Sequence, residues 1–130
     1  MKKTIFFIAF LICFVQLLSA QQTGKGQASA ALVILTKHPW VTTNDQFGTV
    51  QLEFTKDLSF TVTLKSSNEI IKGTFSLKGQ LLTFETDSSC QVKGEYTITV
   101  TEETLTFIKK EDPCNGRNEI APGIWKVLKQ

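Results

Sequence analysis

The amino-acid sequence predicts an all-β fold: a small antiparallel up-and-down β-barrel of about eight strands, preceded by a short N-terminal helix. Three observations predict it. Apolar residues recur with period two in run after run, the pattern of a strand with one buried face. Turn-forming clusters separate these runs about every 8 to 12 residues. Consecutive runs are joined by hairpin-length links with no helical crossover, which favours a meander over a Greek key. A meander that closes on itself also removes both edges, which Thr-rich strands would otherwise leave open to pairing.

The first element is a leader. Lys2 and Lys3 form a basic start, Ile5 to Leu18 is apolar except for Gln16, and Ser19-Ala20 supplies the small residues of a cleavage site. Residues 1–20 therefore read as a secretory signal peptide cut after Ala20. Cys13 is not a lipid anchor, because Ile12 stands where a lipobox needs a small residue. Residues 21–27, rich in Gln, Gly and Lys and without periodicity, read as a disordered mature N-terminus. Residues 28–130 form the barrel domain. It opens with Ala28 to Thr36, a continuously apolar stretch whose Ala-rich start and nearby Pro39 favour a helix over a strand.

The strands follow. Val50, Leu52 and Phe54 alternate with Thr49, Gln51, Glu53 and Thr55; after the turn Lys56-Asp57-Leu58-Ser59, Phe60, Val62 and Leu64 alternate with Thr61, Thr63 and Lys65. Ile70 and Ile71 add a short strand ahead of Gly73. Phe75 and Leu77 then pair through Lys78-Gly79-Gln80 with Leu82 and Phe84. Thr86 to Ser89 reads as loop. Tyr96, Ile98 and Val100 alternate with Thr97, Thr99 and Thr101, Glu102-Glu103 turns the chain, and Leu105 and Phe107 continue the pattern. Trp125 and Val127 mark a closing strand over Ile124 to Leu128. Two Gly-x-aromatic words, Gly73-Thr74-Phe75 and Gly94-Glu95-Tyr96, echo each other at strand starts.

Composition narrows the function. The chain of 130 residues carries 14 Lys+Arg against 12 Asp+Glu, and removal of Lys2 and Lys3 with the leader brings the two counts level. A protein that binds nucleic acid normally carries a basic excess, so that partner class is excluded. No segment after the leader is long and apolar enough to span a membrane, and the length permits one small core. With Cys13 gone, Cys90 and Cys114 remain, and an even pair in an exported domain reads as one disulfide; the alternatives are two separate thiols or a metal pair. Closing a loop of about 25 residues would stabilise the fold by roughly 3 to 4 kcal/mol.

Catalytic machinery is hard to assemble. His38, the single histidine, lies in the loop-like stretch Thr36-Lys37-His38-Pro39-Trp40, and no Ser sits in a Gly-flanked strained turn. The carboxylate pairs Glu102-Glu103 and Glu111-Asp112 read as solvated turn charges. No residue set has the spacing of a metal or cofactor site. The most specific word is Glu111-Asp112-Pro113-Cys114-Asn115-Gly116-Arg117: Pro113 stops a strand, Asn115-Gly116 makes a tight turn, and Arg117 can reach across a barrel end onto an aromatic face or open carbonyls.

The order of Trp40, Cys90-(x)3-Gly94-Glu95-Tyr96, Leu105-Thr106-Phe107, Asp112-x-Cys114-x-x-Arg117 and Trp125 resembles the secreted lipocalin-like (calycin-like) small β-barrel domains of bacteria, over residues 40 to 128. The resemblance implies a structural pair at one barrel end, with Arg117 packed across Trp40. Two positions depart from the pattern: His38-Pro39-Trp40 replaces Gly-x-Trp, and Asp57-Leu58 replaces an Asp-Gly turn.

Two functions follow as expectations. The first is a non-enzymatic barrel binding a small apolar molecule at its mouth; because Phe47, Phe54, Phe60, Phe75, Phe84 and Phe107 crowd the strand runs and an eight-stranded interior is only just filled by side chains, a shallow cup is expected. The second is an interaction or inhibitor module that meets a secreted or cell-surface protein through loops or an outer face. An enzyme is the disfavoured third reading. The protein is expected to act as a monomer without a cofactor, outside the cell, or in the periplasm if the source is Gram-negative.

Overall fold

A computed structural model describes residues 23–130. The leader expected over residues 1–20 lies outside the described residues, as does the start of the segment expected to be disordered. Helix α1 (Thr23–Lys37) begins ahead of Ala28 and takes in the rest of that segment. Once an Ala-rich run has fixed one helical turn, further residues join it at little cost. The helix stops at Lys37 because His38 precedes Pro39, whose ring disfavours helical backbone in the residue before it.

Eight strands then close into an antiparallel barrel in simple sequence order: β1 (Trp40–Asn44), β2 (Gly48–Phe54), β3 (Ser59–Leu64), β4 (Glu69–Lys78), β5 (Leu81–Asp87), β6 (Gly94–Val100), β7 (Thr104–Glu111) and β8 (Gly123–Val127), with β8 pairing back onto β1. Helix α2 (Asn115–Ile120) links β7 to β8. The expected up-and-down barrel is thus the observed fold, but its strands divide differently. Trp40 is not in a loop before the first strand: it begins β1, pairing with Leu52 on one side and Val127 on the other. The strand escaped notice because Thr42 and Asn44 occupy its alternate positions, so no apolar alternation marks it. Conversely, Ile70-Ile71 and Phe75-Leu77 belong to one long strand, β4. Asn115-Gly116, read as a tight turn, opens α2 instead.

The period-two residues fill the interior. Val50, Leu52, Phe54, Phe60, Leu64, Phe75, Leu82, Phe84, Tyr96, Ile98, Leu105, Phe107 and Trp125 are all buried in one cluster. Edge-to-face aromatic contacts run through it: Phe60 to Phe84 at 4.9 Å, Phe84 to Tyr96 at 5.6 Å, and Phe107 to Trp125 at 6.2 Å. Each fully buried side chain of this size contributes on the order of 1.5 to 3 kcal/mol.

The two ends of the barrel differ. One end carries the β2–β3, β4–β5 and β6–β7 turns, and α1 packs there against β2, β4 and β6. Leu35 is fully buried in the core, its carbonyl accepts a 3.1 Å hydrogen bond from the Trp40 indole, and Lys37 pairs with Glu102 in the β6–β7 turn. The opposite end carries the β1–β2, β3–β4 and β5–β6 links together with α2. No helix among the described residues is long and apolar enough to cross a membrane.

Candidate functional site

The end capped by α2 is where the polar residues turn inward, and two irregularities in the sheet explain how. Along β5, Leu82 and Phe84 face the core, so strict alternation would send Asp87 outward. The register instead shifts opposite Thr74 and Phe75, where Phe75 pairs with Phe84 but Thr74 pairs with Thr86. The extra residue, Glu85, reverses the phase, and Asp87 points inward and is buried. The same happens on β7: Tyr96 pairs with Lys109 and Glu95 with Glu111, leaving Lys110 extra, so that Asp112 turns in behind Leu105 and Phe107.

Each bulge lies opposite a Gly-x-aromatic word, and the glycines make room for the carboxylates. A Cβ on Gly73 would stand 2.7 Å from the Asp87 Cβ, and one on Gly94 would stand 2.5 Å from Asp112 Oδ2. The two echoed words therefore share one physical role.

Arg117, on α2, bridges the two carboxylates. Its Nε donates to Asp112 Oδ2 at 2.7 Å and Nη2 to Asp112 Oδ1 at 2.9 Å, a bidentate fork; Nη1 donates to Asp87 Oδ2 at 2.9 Å, and Nη2 also to the Val92 carbonyl at 2.7 Å. The guanidinium lies over the Phe84 ring, 5.7 Å from its centre. Tyr96 donates its hydroxyl to Asp112 Oδ2 at 2.5 Å, and the Cys114 amide donates to Asp112 Oδ1. Asp87 Oδ1 accepts from the Ser89 amide and hydroxyl and from the Cys90 amide. The side chains of Arg117, Asp87 and Asp112 are 7%, 2% and 0% exposed, so these pairs are shielded from water and salt.

The electrostatics follow from that burial. Burial alone would raise the Asp112 carboxyl, but hydrogen bonds from Arg117, Tyr96 and the Cys114 amide outweigh it and hold the group below the usual carboxylate range. For Arg117 the cost of burial is likewise exceeded by its carboxylate partners, and its affinity for the proton rises. Burial, then the neighbouring Asp112, push the Tyr96 hydroxyl well above its ordinary value.

Cys90 and Cys114 are joined as a disulfide, with Cα atoms 6.2 Å apart. It ties the β5–β6 loop to the start of α2, with Cys90 three residues after Asp87 and Cys114 two residues after Asp112. The mouth is thereby fixed twice, covalently and by ion pairs.

Below the Arg117 cluster lies a cavity of about 190 Å³, open to the mouth. Apolar side chains line most of it, among them Phe47, Leu52, Phe60, Val62, Leu64, Ile71, Phe84, Ile120, Ala121 and Trp125, and Glu69, Asp87, Ser89 and Arg117 are its polar lining. The volume is somewhat larger than the roughly 150 Å³ that suffices for a benzene-sized guest and smaller than the roughly 300 Å³ at which drug-sized pockets begin.

Of the residues singled out in the sequence, Cys90 and Cys114 are brought together. Trp40 and Arg117 are not. Trp40 pairs with Val127 at the last residue of β8, whereas Arg117 precedes Gly123 at the first, so the two stand at opposite ends of the barrel. The aromatic face under the guanidinium is that of Phe84. Asp112 is not a solvated turn charge, although its neighbour Glu111 is exposed. Asp87 was missed inside a supposed loop; the spacings Asp87-x-x-Cys90 and Asp112-x-Cys114, each placing an acid just ahead of a paired cysteine, were the available signal. His38 is exposed and away from the mouth.

Comparison with known protein families, curated proteins and solved structures finds no match for this chain.

Proposed function

We propose that this is a secreted, lipocalin-like carrier or sensor barrel that binds a small apolar molecule at its mouth without chemically altering it. The observation that carries the reading is the cavity of about 190 Å³ with apolar walls beside a rigid polar edge, the composition expected of a pre-formed ligand site. Export is supported by the leader-like residues 1–20 and by a disulfide that suits an oxidising compartment. Binding without turnover is supported by the charged groups themselves: Arg117, Asp87 and Asp112 are committed to one another, and Asp112 and Tyr96 are pushed away from neutrality in opposite directions, which leaves neither poised for proton transfer at neutral pH.

The test is titration of the mature protein with toluene, followed by amide and indole NMR shifts. Shifts should cluster on Leu52, Val62, Ile71 and Trp125, and Val62→Phe, which fills the cavity, should abolish them while the variant stays folded. Toluene shifts spread over the outer face, or unchanged in Val62→Phe, would refute the site.

A second reading, an interaction module, is favoured by one feature of the outer face. Ile108 and Ile124, each 61% exposed, are neighbours, because Ile124 pairs with Thr106, two residues before Ile108. If this pair is a contact surface, Ile108→Lys should weaken capture of a partner and leave toluene binding intact.

A further inference from the structure

We propose that the cavity selects apolar molecules ending in a neutral oxygen, a carbonyl or hydroxyl, and rejects carboxylates of the same shape. The inference rests on the ligand-binding reading above and names the ligand class of that site. It comes from donor and charge accounting around Arg117.

A guanidinium has five N–H donors. In Arg117 the Nε donor goes to Asp112, both Nη2 donors go to Asp112 and the Val92 carbonyl, and one Nη1 donor goes to Asp87. The second Nη1 hydrogen has no acceptor among the described residues. The side chain that carries it is 7% exposed and forms part of the cavity wall, next to Asp87. A buried, charged donor beside an apolar cavity recognises an oxygen acceptor more strongly than it would in water, because there is little solvent to compete. On the same side, Asp87 Oδ2 accepts one hydrogen bond, from Nη1. A hydroxyl could therefore accept from Arg117 and donate to Asp87.

Charge decides which oxygen is admitted. Two carboxylates, Asp87 and Asp112, face a single guanidinium, so the cluster is net negative, and Glu69 on the cavity edge adds to it. Both lone-pair directions of Asp112 toward Arg117 are already used in the bidentate fork, so a ligand carboxylate could not displace it without leaving Asp112 buried with no cation, held only by the Tyr96 hydroxyl and the Cys114 amide. An anion would lose its own hydration on the way in and meet a wall of its own sign. A ketone, ester or alcohol meets no such barrier.

The experiment compares three molecules of nearly identical shape on the intact mature protein: α-methylstyrene, acetophenone and benzoate, each titrated by calorimetry at neutral pH and followed through the Arg117 guanidinium N–H resonances. Acetophenone should bind about five-fold tighter than α-methylstyrene, the increment of one hydrogen bond after its desolvation, and should alone shift an Arg117 Nη signal. Benzoate should bind at least about ten-fold more weakly than acetophenone. Equal affinity for α-methylstyrene and acetophenone would overturn the neutral-oxygen assignment while leaving the apolar site in place. Benzoate binding as tightly as acetophenone would overturn the charge argument. Failure of all three to bind would remove the ligand-binding reading and this inference with it.

Discussion

Replacing Asp112 by Asn tests whether the mouth is held by charge. In the native protein Asp112 receives four hydrogen bonds, from Arg117 Nε and Nη2, the Tyr96 hydroxyl and the Cys114 amide, and its side chain is fully buried. Asn keeps one acceptor oxygen and turns an NH2 group toward donors, so at least one Arg117 N–H loses its partner inside the barrel. Breaking one side of a buried pair in this way costs about 3 to 5 kcal/mol, which for a domain of this size is a large share of the total. Urea unfolding at pH 7 should show that loss as a lower midpoint with an unchanged slope.

The same variant carries a pH signature. The Asp112 carboxyl is lower in the folded protein than its ordinary value of about 3.9 in an unfolded chain. Its contribution is therefore fully present above about pH 4 and is lost as pH falls through the depressed folded value. The stability difference between native protein and Asp112→Asn should be constant from pH 7 to about 5 and shrink progressively below about 4. A loss under about 1 kcal/mol, or a difference that stays the same down to pH 2, would show that the ion pair does not hold the mouth.

Three further outcomes are expected. Cys114→Ser, which opens a loop of sequence separation 24, should cost roughly 2 to 5 kcal/mol in denaturant unfolding, and mass spectrometry of the non-reduced protein should find Cys90 linked to Cys114; two free thiols would contradict this. Gly94→Ala places a methyl 2.5 Å from Asp112 Oδ2 and 2.8 Å from Arg117 Nη2; unfolding measurements should show a loss of about 1 to 3 kcal/mol, whereas Gly79→Ala at an open turn should cost only the strain of its positive φ. Trp40→Phe and Arg117→Lys should be additive in a double-mutant cycle to within about 0.5 kcal/mol, and a larger coupling would mean that the two ends communicate.

The barrel was legible because its physics is local. Residues such as Val50, Leu52 and Phe54 repeat at the spacing of the pleat, and no tertiary information is needed to see which face they bury. What the sequence hid was phase. β1 carries Trp40 and Val41 but then Thr42 and Asn44, so pairing with β2 and β8, rather than hydrophobicity, makes it a strand. Asp87 and Asp112 looked like loop and turn charges because period two, continued from Phe84 and Phe107, sends them to solvent. One extra residue in each strand reverses that, and nothing in the composition of Glu85 or Lys110 announces it. The Arg117 partner was misplaced for a related reason: the spacing of Asp112, Cys114 and Arg117 defines a corner, but the end of the barrel that the corner occupies depends on strand parity.

The disulfide gives the molecule a lengthwise asymmetry in how it comes apart. Reduction leaves Leu35, Trp40 and the Lys37–Glu102 pair untouched at one end, while at the other it removes the covalent tie between the β5–β6 loop and α2, which are then held by the Arg117 ion pairs and its hydrogen bond to the Val92 carbonyl alone. Amide hydrogen exchange of the reduced protein should therefore accelerate first in residues 88–93 and α2, with β1, β2 and the lower part of β8 still protected.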